Sequence, residues 1–208
     1  MNESRFGPAP AFVTVEGIEA SGKSTLLAAL AARFRRAGVD PLVTREPGGT
    51  PLGDAVRAIF LDRSVAISAL TEALLINAAR AQHVADAIRP ALAAGRVVLC
   101  DRYVDSTLAY QGYGRGLDVA YLRGMCDAAT GGLEPDVTLL VDVPVEVSLL
   151  RTAARGRAVD RLENEDAAFH ERVRRGYLEL ARSPRHFVVD GTLAPDELVQ
   201  LAANALDR

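Results

Sequence analysis

Short apolar runs alternate along the chain with segments in which apolar residues recur every three or four positions. The runs are rich in Val, Leu and Ile, as buried strands are, whereas the longer spacing is typical of amphipathic helices. The pattern predicts strands at 11–16, 41–44, 96–100, 136–142 and 186–189. It predicts helices at 24–37, 68–94 and 195–206. Strands that alternate with helices indicate an α/β fold with a five-stranded parallel sheet flanked by helices.

Length and composition narrow the class of protein. The 208 residues suit one domain, predicted at 11–208, and residues 1–10 are expected to form a disordered lead-in. No apolar run approaches the roughly 20 residues of a membrane-spanning helix. The net charge of −3 argues against nucleic acid or an anionic membrane as a partner. With only Cys100 and Cys126, the chain offers no disulfide framework, which favours the cytoplasm.

A phosphate-binding motif follows the first predicted strand. Residues 17–24 match G-x-x-x-x-G-K-[ST], between a strand and a helix as this loop requires. Backbone N–H groups of such a loop surround the phosphates of ATP, and the helix N-terminus adds partial positive charge. Lys23 is the only lysine of the chain, and Ser24 is the expected Mg²⁺ ligand. The predicted ATP-binding residues are Gly17, Ile18, Glu19, Ala20, Ser21, Gly22, Lys23, Ser24 and Thr25.

The remaining motifs indicate a kinase with a small acceptor. A guanine-binding N-K-x-D motif is impossible because no lysine exists beyond Lys23. Asp101 and Arg102 end the third predicted strand, at the edge where α/β sheets bind ligands, so Asp101 could support the metal and Arg102 could clamp a phosphate. Arg45 precedes a Pro-Gly-Gly turn after the second strand and could reach the same phosphate.

Together these motifs resemble the bacterial thymidylate kinases. The resemblance includes VEGIEASGKST at 15–25, TREPGGT at 44–50, EALLINAARAQHV at 72–84 and DRYVDSTLAYQGYGRGL at 101–117, and it extends over nearly the whole chain. It implies a P-loop kinase fold, transfer of phosphate from ATP to dTMP with Mg²⁺, and a homodimer built on the long helices.

The resemblance also implies individual roles. Arg45 and Arg102 would bind the monophosphate of dTMP, and Arg80 would donate to the thymine carbonyl. Glu19 would lie near the sugar 3′-hydroxyl and the metal, with Ser24 and Asp101 as the other metal-side residues. The further acceptor-side residues implied are Pro47, whose peptide bond with Glu46 is often cis in the family, Ile76, Thr107, Tyr110 and Gln111.

The family carries a catalytic basic residue either in the phosphate loop or in a mobile lid. Residues 18–21 contain no basic side chain, whereas the predicted lid at 153–163 contains Arg155, Arg157 and Arg161. The resemblance is therefore to the members with lid arginines. A charge delivered on closure would stabilise the transition state and limit transfer to water.

Two positions depart from the family pattern. Ile76 stands where an aromatic ring usually stacks on thymine, and Ala79 stands where an acidic or amide residue usually precedes Arg80. These departures keep a different acceptor open, such as dUMP or a deoxynucleoside. A non-enzymatic ATP-binding module is the more distant alternative, and the intact set of Lys23, Ser24, Asp101, Arg102 and lid arginines opposes it.

Overall fold

A five-stranded parallel sheet forms the centre of the computed structural model, which describes residues 12–156 and 158–206. The strands are β1 (Phe12–Glu16), β2 (Leu42–Arg45), β3 (Val98–Asp101), β4 (Val137–Asp142) and β5 (His186–Asp190). They lie in the order β2-β3-β1-β4-β5, and each neighbouring pair is parallel. The predicted α/β fold with its five strands is therefore confirmed. The lead-in predicted at 1–10 lies outside the described residues.

Helices connect the strands and pack on both faces of the sheet. They are α1 (Lys23–Arg36), α2 (Pro51–Leu61), α3 (Ala69–His83), α4 (Arg89–Ala93), α5 (Val104–Thr107), α6 (Val119–Thr130), α7 (Val145–Ala154), α8 (Ala167–Leu180) and α9 (Pro195–Leu206). Two π-helical segments, Val84–Ile88 and Leu108–Gly114, continue α3 and α5. Among the described residues, no helix is both long enough and apolar enough to cross a bilayer.

The long helix predicted at 68–94 is present as α3, a π-helical segment and α4 in direct succession. It begins after Ser68, whose Oγ accepts a hydrogen bond from the backbone N–H of Thr71 at 3.2 Å. It ends before Gly95, whose φ of +71° lies in the left-handed region that commonly follows helices.

The Pro-Gly-Gly turn after Arg45 is followed at once by a helix that the sequence analysis did not predict, because α2 begins at Pro51. Thr50 caps this helix by accepting a hydrogen bond from the backbone N–H of Gly53 at 3.0 Å, and proline suits the first helical turn. Val56 and Phe60 carry its buried face. The apolar spacing of Val56 and Phe60 is typical of a helix, but the glycines and prolines before them are typical of a loop, so the helix was not predicted.

Alternating residues of β1 fill separate cores on the two faces of the sheet. Val13 and Val15 pack in a cluster with α1 and α9, whereas Phe12 packs on the opposite face with residues of the long helix. All five strands point the same way, so their carboxyl ends meet at one edge. Glu16 and Asp101 lie at that edge on adjacent strands.

Candidate active site

A cleft with a volume of about 310 Å³ opens at the carboxyl edge of the sheet. It brings together most of the residues predicted from the sequence. Those that line it are Glu19, Ala20, Ser21, Gly22, Lys23, Ser24, Thr25, Arg45, Pro47, Ile76, Arg80, Asp101, Arg102, Thr107, Tyr110, Gln111 and Arg155. Gly17, Ile18 and Arg161 lie outside this lining, and Arg157 lies outside the described residues.

The phosphate loop wraps around the ammonium group of Lys23. Its Nζ donates to the backbone carbonyl oxygens of Gly17 at 3.0 Å and Ile18 at 2.6 Å. Gly17 has a φ of +139°, and a Cβ atom there would lie 2.4 Å from the carbonyl oxygen of Val141. Only glycine fits this position, because the loop passes directly over β4. The loop thus holds a positive charge at the N-terminus of α1.

Burial makes the charge of Lys23 costly in the free protein. Burial and, to a lesser extent, the neighbouring cation Arg102 together lower the pKa of Lys23 to about 8, although the carboxylates of Asp101, Glu19 and Glu16 oppose this shift. An anion that binds in the cleft would stabilise the charged form of Lys23, because it would place a negative charge beside a desolvated cation. The loop is therefore suited to a polyphosphate.

Arg102 and Glu19 form a pair at the floor of the cleft. Arg102 Nη2 donates to Glu19 Oε1 at 3.1 Å, and Arg102 Nη1 donates to the carbonyl oxygen of Gly17 at 2.9 Å. Burial opposes the charge of Glu19, but Arg102, Lys23 and a hydrogen bond from Tyr110 outweigh it, so the pKa of Glu19 is lowered. Arg102 also has a φ of +72°, which is uncommon outside glycine. The backbone after β3 thus directs its guanidinium group toward the phosphate loop.

Ser24 and Asp101 offer oxygen ligands for a divalent cation. Ser24 Oγ donates to Asp101 Oδ2 at 3.3 Å, while Asp101 Oδ1 is buried without a hydrogen-bond partner among the described residues. Hydroxyl and carboxylate oxygens are the ligands that Mg²⁺ prefers, and Mg²⁺ usually takes few protein ligands beside substrate phosphates. The described residues contain no cluster of three or more His, Cys, Asp or Glu side chains suited to a metal. The pair therefore fits a metal that arrives with a nucleotide.

Three arginines from separate elements line the acceptor end of the cleft. Arg45 ends β2, Arg102 follows β3, and Arg57, which sequence analysis missed, comes from α2. Arg57 Nη1 donates to the carbonyl oxygen of Pro47 at 3.2 Å. Burial and the nearby cations Arg45 and Arg102 lower the pKa of Arg57. An arginine next to Val56, on the buried face of a helix, was the sequence signal that could have revealed it.

We expect Arg57→Met to raise the KM for a phosphorylated acceptor about 10- to 100-fold, since each charged hydrogen bond to a phosphate contributes about 1.5–3 kcal/mol. The kcat should change much less. The free protein should not lose stability, because the substitution relieves repulsion among cations. Steady-state kinetics with thermal unfolding would check this, with Arg63→Met, an exposed arginine just beyond α2, as the matched control. An unchanged KM would contradict the assignment.

Arg80 is buried against the cleft with a partner for each of its N–H groups. Its side chain is 1% exposed. Nε donates to Glu46 Oε2 at 2.7 Å, and the remaining acceptors are Asn77 Oδ1, Cys126 Sγ, the carbonyl oxygen of Tyr103 and Thr107 Oγ1. The long contact to the sulfur atom, at 3.4 Å, is the weakest of these, because sulfur is a weak acceptor.

Glu46 orients Arg80. The side chain of Ala79 cannot do so, because it has no polar group to accept a hydrogen bond. Its second oxygen lies 3.0 Å from His83 Nδ1, and His83 Nε2 lies 2.7 Å from Thr44 Oγ1. The peptide bond between Glu46 and Pro47 is cis. The TREPGGT loop and the long helix are thus joined by a buried ion pair that fixes Arg80.

Another part of the cleft wall consists of Ile76, Thr107, Tyr110 and Gln111. Ile76 is 7% exposed and supplies an apolar surface without an aromatic face. Tyr110 Oη donates to Glu19 Oε1 at 2.5 Å, which ties this wall to the phosphate loop. A planar ring that enters here would meet apolar side chains on its face and polar groups at its edge.

Two arginines of the predicted lid, Arg155 and Arg161, make different contacts in this structure. Arg155 lines the cleft, is 42% exposed and lies 3.3 Å from Glu163. Arg161 is not among the residues that line the cleft: its Nη1 forms a short ion pair with Glu72, and its Nε donates to the carbonyl oxygen of Phe60 at 2.9 Å. Of these two arginines, Arg155 is therefore placed to reach a bound phosphate, while Arg161 attaches the segment to the α2–α3 region.

Arg151, another residue that sequence analysis missed, joins the phosphate loop to the loop after β5. Its Nη1 donates to the carbonyl oxygens of Gly191 at 2.9 Å, Ala20 at 3.3 Å and Ser21 at 3.4 Å. It lies in the last turn of α7, immediately before the predicted lid. A basic residue at this helix end has no distinguishing pattern in the sequence.

A buried carboxyl group lies beneath the phosphate loop. Glu16 accepts hydrogen bonds from the backbone N–H of Tyr103 at 2.7 Å, from Ser106 Oγ at 2.6 Å and from Tyr177 Oη at 3.1 Å. Burial and the nearby carboxylate of Asp105 raise the pKa of Glu16 to about 7 against these hydrogen bonds. The side chain therefore costs stability when it is ionised.

We expect the protein to lose stability as the pH rises from about 4.5 to 7. Over this window the unfolded chain ionises Glu16 while the folded chain still holds the proton, so unfolding is favoured. The loss should approach about 3 kcal/mol, since one pKa unit corresponds to about 1.4 kcal/mol. Denaturant titrations of the protein and of Glu16→Gln across this window would isolate the contribution. Equal pH slopes for the two proteins would contradict the assignment.

Comparisons with known proteins give the same result from the family model and from individual relatives. Residues 15–202 match the family model described as thymidylate kinase. The chain is 51% identical over 205 residues to the thymidylate kinase of Desulfovibrio desulfuricans, with 94% of each chain covered. It is 57% identical over 187 residues to that of Thermomicrobium roseum, with 89% of each covered.

A solved structure has the same fold. The crystal structure of thymidylate kinase from Ehrlichia chaffeensis superimposes with a TM-score of 0.77 at 32% identity, covering 96% of this chain and 99% of that one. The order of the strands, the phosphate loop and the matched length lead to one conclusion. The chain belongs to the thymidylate kinase family.

Proposed function

We propose that this chain transfers the γ-phosphate of ATP to dTMP, giving dTDP and ADP, with Mg²⁺ as the metal. The relatives named above are thymidylate kinases, and their similarity extends over about nine tenths of the chain. The observation that carries the proposal is the convergence of Arg45, Arg57 and Arg102 beside the phosphate loop. This arrangement provides a second phosphate site next to the first.

The phosphate loop would hold the donor. Its backbone N–H groups and the N-terminus of α1 would bind the phosphates of ATP, and Lys23 would exchange its backbone partners for phosphate oxygens. Ser24 and Asp101 would hold Mg²⁺, which when bound neutralises charge on the phosphates. The orphan oxygen of Asp101 and its contact with the hydroxyl group of Ser24 support this assignment.

The acceptor would enter opposite the donor, with its phosphate on the three arginines and its base against Ile76. Phosphoryl transfer depends on alignment and charge compensation more than on a strong base. Arg102 could contact the acceptor phosphate and the transferred group, because its guanidinium lines the cleft and donates to Gly17 and Glu19 of the phosphate loop. Arg155 would add charge as the reaction proceeds, which its place at the cleft and its partial exposure support.

The acceptor itself can be tested directly. ADP release from ATP and Mg²⁺ should be measured with dTMP, dUMP, UMP, dCMP and thymidine. We expect dTMP to lead by orders of magnitude. A lead by dUMP would mean that Ile76 belongs to a different base pocket, and a lead by thymidine would mean that the acceptor is a nucleoside. ATP binding without turnover would favour a binding module. Arg45→Glu separates the cases further, because charge reversal should impair a nucleotide acceptor but spare a nucleoside.

We also propose a homodimer that uses α3. Leu70 and Leu74 lie one turn apart on this helix and are 43% and 52% exposed, and Ile59 of neighbouring α2 is 47% exposed. A patch of exposed aliphatic side chains is typical of a surface that another subunit covers. Sedimentation of the protein and of Leu74→Lys would check this, and a monomeric wild-type protein would contradict it.

A further inference from the structure

The amide group of Gln111 is held in one orientation at the wall of the cleft. Gln111 lies in the π-helical segment after α5, lines the cleft and is 1% exposed. Its Nε2 donates to Glu72 Oε2 at 2.8 Å. Its Oε1 is buried and has no hydrogen-bond partner among the described residues. A buried acceptor without a partner is costly, so this oxygen calls for a donor from a ligand.

The orientation follows from the charge of Glu72. A carboxylate can only accept hydrogen bonds, so the amide must turn its NH₂ group toward Glu72 and its oxygen away. Glu72 is 0% exposed, and its charge is compensated by two guanidinium groups: Arg115 Nη2 lies 3.1 Å from Oε1, and Arg161 forms the short ion pair. Neither arginine donates a hydrogen bond to Gln111. Glu72 alone among these charged groups therefore fixes the amide.

We propose that Glu72 is a positioning residue that sets base selection by presenting the Gln111 carbonyl oxygen to the N3 position of a pyrimidine. The inference rests on the proposed function. Thymine and uracil carry an N3–H donor that satisfies this oxygen, whereas cytosine has a lone pair at N3 that faces it unfavourably. A site that hydrogen-bonds a polar group discriminates strongly against an analogue that lacks it.

The substitution Glu72→Gln tests the inference, because a neutral amide at position 72 can donate as well as accept. Gln111 could then turn its NH₂ group toward the base. We expect the ratio of kcat/KM for dTMP over dCMP to fall about 10- to 100-fold. The ratio for dTMP over dUMP should stay within about threefold, since both bases carry the N3–H group. A general loss of structure would lower all three activities together and leave the ratios unchanged.

Two further variants make the test specific. Glu165→Gln is the matched control, because Glu165 also pairs with Arg115, at 2.7 Å, but makes no hydrogen bond with Gln111. This variant should leave both ratios unchanged. In Gln111→Leu, which has no amide to orient, Glu72→Gln should no longer alter the dTMP to dCMP ratio. A preserved ratio in a Glu72→Gln protein that is folded and still phosphorylates dTMP would overturn the inference without affecting the proposed function. Failure of the unmodified protein to phosphorylate dTMP would instead overturn the proposed function.

Discussion

Replacement of Lys23 by alanine is expected to lower kcat at least about 10³-fold, with a smaller effect on nucleotide affinity. The ammonium group would contact the phosphates most strongly as charge shifts during transfer, and a loss of this size corresponds to about 4 kcal/mol of transition-state stabilisation. Lys23 is only 7% exposed and lies within hydrogen-bond distance of two carbonyl oxygens of its own loop. Water therefore cannot readily replace the missing charge.

Lys23→Arg should be almost as damaging, because a planar guanidinium group is too wide for a loop that closes on a compact ammonium group. Arg36→Ala, an exposed charge at the end of the same helix, is the control and should leave kcat within about twofold. Single-turnover transfer with a saturating nucleotide would separate chemistry from binding. If Lys23→Ala kept more than about a tenth of the activity, Lys23 would have a structural role only.

Arg102→Met should lower kcat/KM for the acceptor by about 10³-fold. The side chain donates to the carbonyl oxygen of Gly17, to Glu19 and to Tyr177, so its loss would remove the proposed phosphate ligand and break the ion pair with Glu19. Breaking a buried pair in this way typically costs about 3–5 kcal/mol. Arg102→Lys should recover a small part of the loss, because lysine restores the charge without the fork of donors.

The measurement is initial rate against acceptor concentration at saturating ATP, together with the unfolding midpoint. Arg174→Met is the control, because Arg174 makes a bidentate ion pair with Asp142, at 2.8 and 2.9 Å, and does not line the cleft. It should change acceptor kinetics less than about threefold. An Arg102→Met protein that is folded and impaired less than tenfold would contradict the assignment of Arg102 to the acceptor phosphate.

Local patterns determined what could be predicted from the sequence. The phosphate loop lies between a strand and a helix in both chain position and space, so Gly17 to Ser24 could be identified directly. Arg45 and Arg102 follow strand ends, which a parallel sheet necessarily brings to one edge. These predictions needed only the periodicity of the chain and the geometry of the fold.

Pairs formed between distant segments could not be predicted in the same way. The contact of Arg80 with Glu46 spans 34 positions, and that of Arg161 with Glu72 spans 89. A single sequence shows that these charges exist, but it does not show which oppositely charged group lies beside each one. The sequence therefore groups Arg161 with the other lid arginines, whereas the structure pairs it with Glu72 and does not include it in the lining of the cleft.

Arg151 and Arg161 together have a mechanical consequence. One fastens the end of α7 to the phosphate loop, and the other fastens the chain ten residues later to Glu72 and Phe60. Arg155 is one of the nine residues between these two contacts and directly follows α7. A short segment that is held at both ends has few conformations available, so little conformational entropy is lost when it adopts one of them. We therefore expect the charge of Arg155 to remain near the cleft at a small entropic cost.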